Sequence, residues 1–321
     1  VAGTPAAPPS APRPRTRRAP WWLWLAGVAI LLPVAVPIAA LLIRVLEASD
    51  SAWDTLLSTR TLELLVRTLV FTAIVTVSAT LIGCTGAVLL ARTNLRFRRV
   101  WGVLFALPLV IPSYVLAMTL ISATGPRGLV ADLTGIGSPH LIGFVGAWVA
   151  LTLSTYPYVF LITSAALQRV DPILEEAARG LGASRARMFR TVLLPQLRPA
   201  LGAGALLAAL YTMSDFGAVS LMRYDVFTRV IYAQYSGRLD RTPAIVLSLV
   251  LIATALIVIW AEQRTRGGGA YYTKKPSRPP SLYRLSGYQR GLSLAFLVVV
   301  VTVGTVRPIS VLVAWMARGA M

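Results

Sequence analysis

Residues 169–198, RVDPILEEAARGLGASRARMFRTVLLPQLR, form a charged stretch between two long apolar stretches, residues 141–167 and 200–222. The charged stretch contains six arginines and three acidic residues, whereas the two flanking stretches together contain one charged residue, Asp215. Each flanking stretch exceeds the roughly 20 residues that a helix needs to cross the hydrocarbon core of a bilayer. The pattern therefore predicts a surface loop between two membrane helices.

The loop itself carries the signals of two short helices. Asp171 followed by Pro172 is typical of an N-cap and the first position of a helix. Gly182 stands where a left-handed residue would end that helix. A second short helix is expected over residues 184–193, ending before Pro195 because proline interrupts the helical hydrogen bonds. We expect the two helices to lie on the surface, joined by a glycine turn.

Apolar stretches of similar length recur along all 321 residues. The chain is 56% hydrophobic and only 13% charged, with a mean hydropathy of +0.70, whereas a soluble domain has about 25% charged residues. The sequence lacks the alternating segments of about 10 residues that build membrane β-barrels. It predicts an all-α polytopic membrane protein with seven transmembrane helices, at residues 21–43, 64–91, 100–123, 141–167, 200–222, 243–262 and 291–314.

The distribution of lysine and arginine predicts the orientation of these helices. If the N-terminus is inside, 21 of the 31 cations fall in inside segments and 7 in outside segments. Short cytoplasmic loops of membrane proteins are enriched in cations, so we expect a multi-pass protein of the cell membrane with a cytoplasmic N-terminus. The same bias explains the net charge of +19 without a nucleic-acid partner.

Several chemical functions are excluded by residue counts. The single cysteine, Cys84, cannot form an intrachain disulfide, and the single histidine, His140, leaves no zinc or haem ligand set. The two lysines, Lys274 and Lys275, do not follow glycine, so the chain has no phosphate-binding loop of the GxxxxGK[ST] type. We predict no catalytic residues, no cofactor and no metal site, and any ATP would be bound by another subunit.

Composition divides the chain into four segments. We expect a disordered cytoplasmic tail at 1–20, a six-helix membrane domain at 21–262, a Gly- and Pro-rich cationic linker at 263–290, and the start of a second membrane block at 291–321. Residues 307–312, RPISVL, faintly repeat residues 36–41, VPIAAL. An internal repeat or chance similarity between two membrane helices would both produce this match.

The loop at 169–198 resembles the EAA loop of bacterial importer-type ABC transporter permeases, whose pattern is EAA-x3-G-x9-I-x-LP. The one departure is valine for isoleucine. The resemblance implies a type I ABC importer permease fold in which this loop forms a cytoplasmic coupling helix, seated in a cleft of a separate ATP-hydrolysing subunit. The residues that the pattern matches are Glu176, Ala177, Ala178, Gly182, Val192, Leu194 and Pro195.

Other segments resemble the ferric-iron branch of these permeases: residues 156–160, YPYVF, residues 214–220, SDFGAVS, and residues 223–228, RYDVFT. The resemblance implies import of ferric iron delivered by an external solute-binding protein. Permeases for thiamine, polyamines, sulfate and phosphonate carry the same loop and stay open as alternatives. Members of the ferric branch are usually fused duplicates with two such loops, so we expect this chain to be a first half plus one helix, pairing with a second half or with another copy.

A possible transport path is marked by Asp215, Tyr211 and Ser214, since an acid within an apolar stretch often lines a path or meets a partner. A solvated position near the interface is the alternative for Asp215. An ion-coupled secondary transporter would need paired intramembrane acids or broken helices. Asp215 has no acidic companion inside a predicted helix, which favours the ABC permease.

Overall fold

The computed structural model describes residues 21–47, 51–125, 141–237, 241–265 and 282–319, and the chain divides into two compact units, Val1–Ala48 and Ser49–Met321. The first unit contains one apolar helix, α1 (Trp21–Glu47), whose two halves are bent by 45°. Pro33 and Pro37 lie at this bend. Proline lacks the N–H that would bond one turn back, which is the usual cause of a kink.

Within the described part of the second unit, the regular secondary structure is helical apart from one isolated β-bridge between Thr93 and Tyr283. Its α-helices are α2 (Ser51–Leu56), α3 (Thr59–Arg92), α4 (Arg98–Ala106), α5 (Ser113–Ala123), α6 (Gly143–Leu167), α7 (Pro172–Gly180), α8 (Arg185–Met188), α9 (Leu194–Ser214), α10 (Gly217–Leu221), α11 (Phe227–Gly237), α12 (Thr242–Thr265), α13 (Gly287–Val301) and α14 (Arg307–Gly319).

The described residues contain five to seven candidate spans, a range that includes the seven predicted from the sequence. Five continuous helical stretches are long and apolar enough to cross a membrane, and two bent pairs raise the number to seven when each pair counts as one span. Each of the seven overlaps one predicted stretch. The predicted tail at 1–20, His140 and most of the predicted linker lie outside the described residues.

The stretch at 100–123 was wrongly predicted as one helix. It consists of α4, a 3-10 turn at Leu107–Val110 and α5, and the two arms are bent by 98°. Ile111 adopts an extended conformation with ψ 117° because it precedes Pro112, and a residue before proline is disfavoured in the helical region. The dipeptide Ile111-Pro112 therefore breaks the span.

The stretch at 200–222 is also broken, at Asp215, where the backbone is extended between α9 and α10. At its other end the helix does not stop before Pro195, as predicted, but continues from α8 through a π-helical segment, Phe189–Leu193, into α9. The Leu194 N–H bonds to the Phe189 carbonyl, five residues back. Pro195 consequently falls in the first turn of the regular helix, where its missing N–H costs little.

Helices α3, α6 and α9 pack closely because small residues line their contacts. A Cβ at Gly83 would lie 2.8 Å from the backbone N of Phe160, and one at Gly204 would lie 2.8 Å from Cα of Val159. Only glycine permits this approach, and small residues at helix contacts are the usual device for tight packing in membranes. The three helices form the centre of the main apolar core.

Contacts between helix ends assign those ends to two opposite faces of the second unit. On one face, Arg92 Nη2 at the end of α3 donates to the carbonyl of Leu167 at the end of α6, at 2.9 Å. On the other face, the start of α6 contacts two elements. The Leu141 N–H donates to Thr124 Oγ1, just after α5, at 3.1 Å. The Gly143 N–H donates to the Met222 carbonyl, at the end of α10, at 2.6 Å. The broken segment α4–α5 therefore crosses from one face to the other, and loop 169–198 lies on the Arg92 face.

Candidate functional site

The first short helix of loop 169–198 is α7, and its predicted start and end are both confirmed. The Asp171 side chain accepts a hydrogen bond from the Ile173 N–H at 3.0 Å. Gly182 has φ +74°, a conformation that L residues rarely adopt. The Gly182 N–H bonds to the Arg179 carbonyl and the Ala183 N–H to the Ala178 carbonyl, at 2.9 and 3.0 Å. This pair of bonds is a Schellman motif, which satisfies the last carbonyls of the helix.

Two of the three EAA-like residues of α7 lie on its outward face. Glu176 and Ala177 are exposed, and Ala178 is half-buried against the main core. Leu181, just after the helix, leaves 88% of its surface exposed. A carboxylate, a small residue and an apolar side chain thus project from one short helix, an arrangement that suits docking into a groove of a partner.

The second part of the pattern has a different environment. Val192, Leu194 and Pro195 are half-buried where the π-helical segment joins α9, and Val192 packs against the main core. These residues anchor the loop to the long helix that follows it. The pattern therefore combines an exposed set on α7 with an anchoring set at the base of α9.

A buried ion pair holds α7 against the ends of the membrane helices. Glu175 Oε1 lies 3.0 Å from Arg92 Nη2, and both side chains are 0% exposed. Because the same Arg92 nitrogen bonds to the Leu167 carbonyl, one guanidinium joins α3, α6 and α7. The sequence did not predict this pair, since Arg92 counted only as one of the inside cations and Glu175 only as an acid near the start of a helix. The adjacent position of Glu175 and Glu176 was a usable signal, because neighbouring residues on a helix face different sides.

Tyr283, from the end of the predicted linker, completes this cluster. Its hydroxyl donates to Glu175 Oε2 at 3.1 Å, and the Arg179 guanidinium lies 5.0 Å from the centre of its ring. Burial raises the pKa of the Tyr283 phenol, which favours the protonated form that donates to Glu175. No sequence signal pointed to this residue.

Asp215, at the opposite end of α9, is buried and serves as a cap. Its Oδ1 accepts from the Ala218 N–H at 2.9 Å and the Val219 N–H at 3.4 Å, at the start of α10. Its Oδ2 accepts from the Ser113 hydroxyl at the start of α5. The carboxylate therefore ties the second arm of the broken span to the junction of α9 and α10.

The other two residues predicted on a transport path lie close in sequence to Asp215, but their side chains have separate contacts. Tyr211 packs its ring 5.8 Å from that of Tyr158. Ser214 is exposed and donates to the Tyr211 carbonyl at 3.0 Å. The Tyr211 carbonyl also accepts from the Asp215 N–H.

A polar cleft of about 460 Å³ lies among α2, the start of α3, α11 and the start of α12. Its charged lining residues are Asp54, Arg60, Glu63, Arg67 and Asp225. Within the described residues no three His, Cys, Asp or Glu side chains come together in a way that could hold a metal ion.

Comparison with known protein families shows which family the chain belongs to. Residues 79–263 match the family described as binding-protein-dependent transport system inner membrane component. The match runs from the middle of α3 to the end of α12 and contains loop 169–198. The chain belongs to this family. It is accordingly a multi-pass membrane component of a transport system.

Similar proteins within this family are named for the transport of different solutes. The Fe(3+)-transport system permease protein FbpB 2 of Haemophilus influenzae is 32% identical over 94% of this chain and 58% of its own length. The chain thus spans less than two thirds of that relative. A probable molybdenum ABC transporter permease of Haloferax volcanii is 33% identical over 74% of this chain and 87% of its own length.

Solved structures of similar fold are also transporter chains. A bacterial ABC transporter involved in alginate import has a TM-score of 0.61, with 16% identity over 76% of this chain and 94% of its own. The MetNI methionine ABC transporter has a TM-score of 0.52, with 22% identity over 65% of this chain and 97% of its own. At these identities the likeness shows the fold alone, the ABC importer permease fold expected from the sequence.

Proposed function

We propose that the chain is the transmembrane permease subunit of an ATP-driven importer and that loop 169–198 couples it to a separate ATPase. The observation that carries the proposal is the geometry of α7, which exposes Glu176 and Ala177 while Glu175 fixes the helix to the ends of α3 and α6. A partner that displaces α7 would move the membrane helices with it. The Arg92 face would then be cytoplasmic, in agreement with the cation count.

Ferric iron is the proposed solute, delivered on the outer face by a binding protein that captures the metal. The similarity to the Fe(3+)-transport permease over 94% of the chain supports this choice, because the molybdenum permease aligns over 74%. Permeases for thiamine, polyamines, sulfate and phosphonate are the alternatives within the same class. A second permease half, fused or supplied by another copy, would provide the second coupling loop for a pair of ATPase subunits.

The proposal is tested by purifying the transporter that contains this chain with its candidate ATPase and binding protein, and reconstituting it in lipid vesicles. We expect ATP hydrolysis to rise when the loaded binding protein is added, with uptake of Fe³⁺ but not of sulfate or molybdate. Glu176→Lys should reduce uptake, whereas Glu63→Lys, a matched charge reversal at the start of α3 in the polar cleft, should leave the interaction with the ATPase unchanged.

Two results would contradict the proposal. Uptake that persists without ATP but collapses with the ion gradient would indicate a secondary transporter. ATP-dependent uptake of an oxyanion instead of iron would support the proposed permease function but contradict ferric iron as the solute.

A further inference from the structure

The segment just before α13 is fastened to the turn that follows α3. The Tyr283 N–H donates to the Arg92 carbonyl at 2.8 Å, and the Asn94 N–H donates to the Tyr283 carbonyl at 3.2 Å. The Leu285 N–H adds a bond to Asn94 Oδ1 at 3.1 Å. These three bonds hold a short extended strap, residues 282–285, against the surface that carries loop 169–198.

The strap continues almost directly into a membrane helix. Ser286 caps α13 with a reciprocal pair of bonds to Gln289, at 3.4 Å from its Oγ to the Gln289 N–H and at 3.2 Å from the Ser286 N–H to Gln289 Oε1. A capping box of this kind fixes the direction in which a helix begins. Only Arg284 and Leu285 separate Tyr283 from Ser286, so little slack exists between the strap and α13.

The side chain of Tyr283 extends the strap to α7. Its hydroxyl donates to Glu175 Oε2, while Glu175 Oε1 faces Arg92 in the buried ion pair. Removal of one partner of a buried ion pair is strongly destabilising, because it leaves the other charge buried and unpaired. Glu175 is therefore held from two sides, by α3 through Arg92 and by the strap through Tyr283.

We infer that Tyr283 is a positioning residue that locks α7 to the start of α13, so that a displacement of the coupling loop reaches α3 and α13 together. The inference rests on the proposed function of loop 169–198 as the coupling element. The effect of Tyr283 is exerted through Glu175, to which its hydroxyl donates. Without the phenolic bond, α7 would still be held by Arg92 and by the contact of Arg179 with the Tyr283 ring, but the direct link from Glu175 to the strap would be lost.

The test compares Tyr283→Phe with Tyr288→Phe. The first variant removes one hydroxyl and keeps the ring beside Arg179, while the second removes the same atom from a residue of α13 that is 81% exposed. Amide hydrogen exchange is measured over residues 172–183 and 282–290 in the complete transporter. Loss of a hydrogen bond to a carboxylate should raise exchange in both segments by about tenfold in Tyr283→Phe, with no change in Tyr288→Phe.

A second measurement, solute transported per ATP hydrolysed, separates positioning from simple stabilisation. We expect this ratio to fall severalfold in Tyr283→Phe while ATPase assembly and the melting temperature stay close to wild type. Unchanged exchange in both segments would overturn the inference whatever the fate of the proposed function. Faster exchange with an unchanged transport ratio would overturn it as well. Absence of ATP-coupled transport in the wild-type transporter would instead reject the proposed function.

Discussion

Glu175 and Arg92 show most directly how a single pair of residues determines the placement of loop 169–198. Breaking a buried ion pair by removing one charge costs about 3–5 kcal/mol, whereas replacing both partners with apolar residues is often neutral. We expect Glu175→Gln to lower the thermal stability of the purified chain strongly, and Arg92→Met with Glu175→Leu to recover most of the loss. The matched control is Asp225→Asn, which breaks a partly exposed pair with Arg229 and should cost less than about 1 kcal/mol. Equal losses in Glu175→Gln and Asp225→Asn would contradict the buried-pair argument.

Substitution of Asp215 can separate the cap that it forms from its predicted position on a transport path. Asparagine keeps an oxygen that can accept from the Ala218 N–H but removes the charge, whereas alanine removes both. If the carboxylate acts only as a cap, Asp215→Asn should transport normally, and Asp215→Ala should lose about 1 kcal/mol of stability. If the charge lies on the transport path, Asp215→Asn should transport poorly at unchanged stability. Uptake assays with parallel melting curves distinguish the two results.

The sequence predicts individual residues well where the signal is local. Asp171 and Gly182 were assigned correctly because an N-cap and a left-handed C-terminal residue depend on neighbouring positions alone. The pair Arg92–Glu175 joins residues 83 positions apart, and no local pattern encodes that distance. Tyr283 lies farther still from its partners and within a stretch whose composition indicates a linker.

At the scale of elements, the glycine turn after α7 gives the sharpest prediction. Gly182 has φ +74° whereas Gly180 is helical, and a Cβ would meet no atom within 4 Å at either position. The two positions therefore differ in backbone strain and not in the space available for a Cβ. Gly182→Ala should cost about 1–2 kcal/mol locally and reduce ATP-coupled uptake, and Gly180→Ala should be neutral or slightly stabilising. Equal uptake by both variants would show that the turn does not position the loop.

Hydropathy predicts where the seven candidate spans lie in the sequence, but only the structure shows where the spans at 100–123 and 200–222 are broken. Apolar length predicts that residues 100–123 and 200–222 enter the bilayer, because burial of backbone in hydrocarbon demands helices of that length. Apolar length does not show that Pro112 breaks the first of these stretches or that Asp215 caps a new helix in the second. Both breaks meet at the Ser113–Asp215 hydrogen bond, which satisfies polar groups that the breaks expose.

At the scale of the whole molecule, the remaining prediction concerns which face is cytoplasmic. The contacts of Arg92, Leu167 and Tyr283 assign loop 169–198 and the turn near residue 95 to one face, and the opposite face carries the ends of α5 and α10. The excess of 21 cations over 7 predicts that the Arg92 face is cytoplasmic. Reporter fusions at positions 95 and 185 should therefore be active only as cytoplasmic reporters, and a fusion at position 235, in α11, only as an outer one. Fusions at 95 and 185 that report opposite sides would contradict the fold itself. If both fusions report the outer side, the fold would stand, but loop 169–198 would lie where no cytoplasmic ATPase can bind it. The proposed coupling would then be wrong.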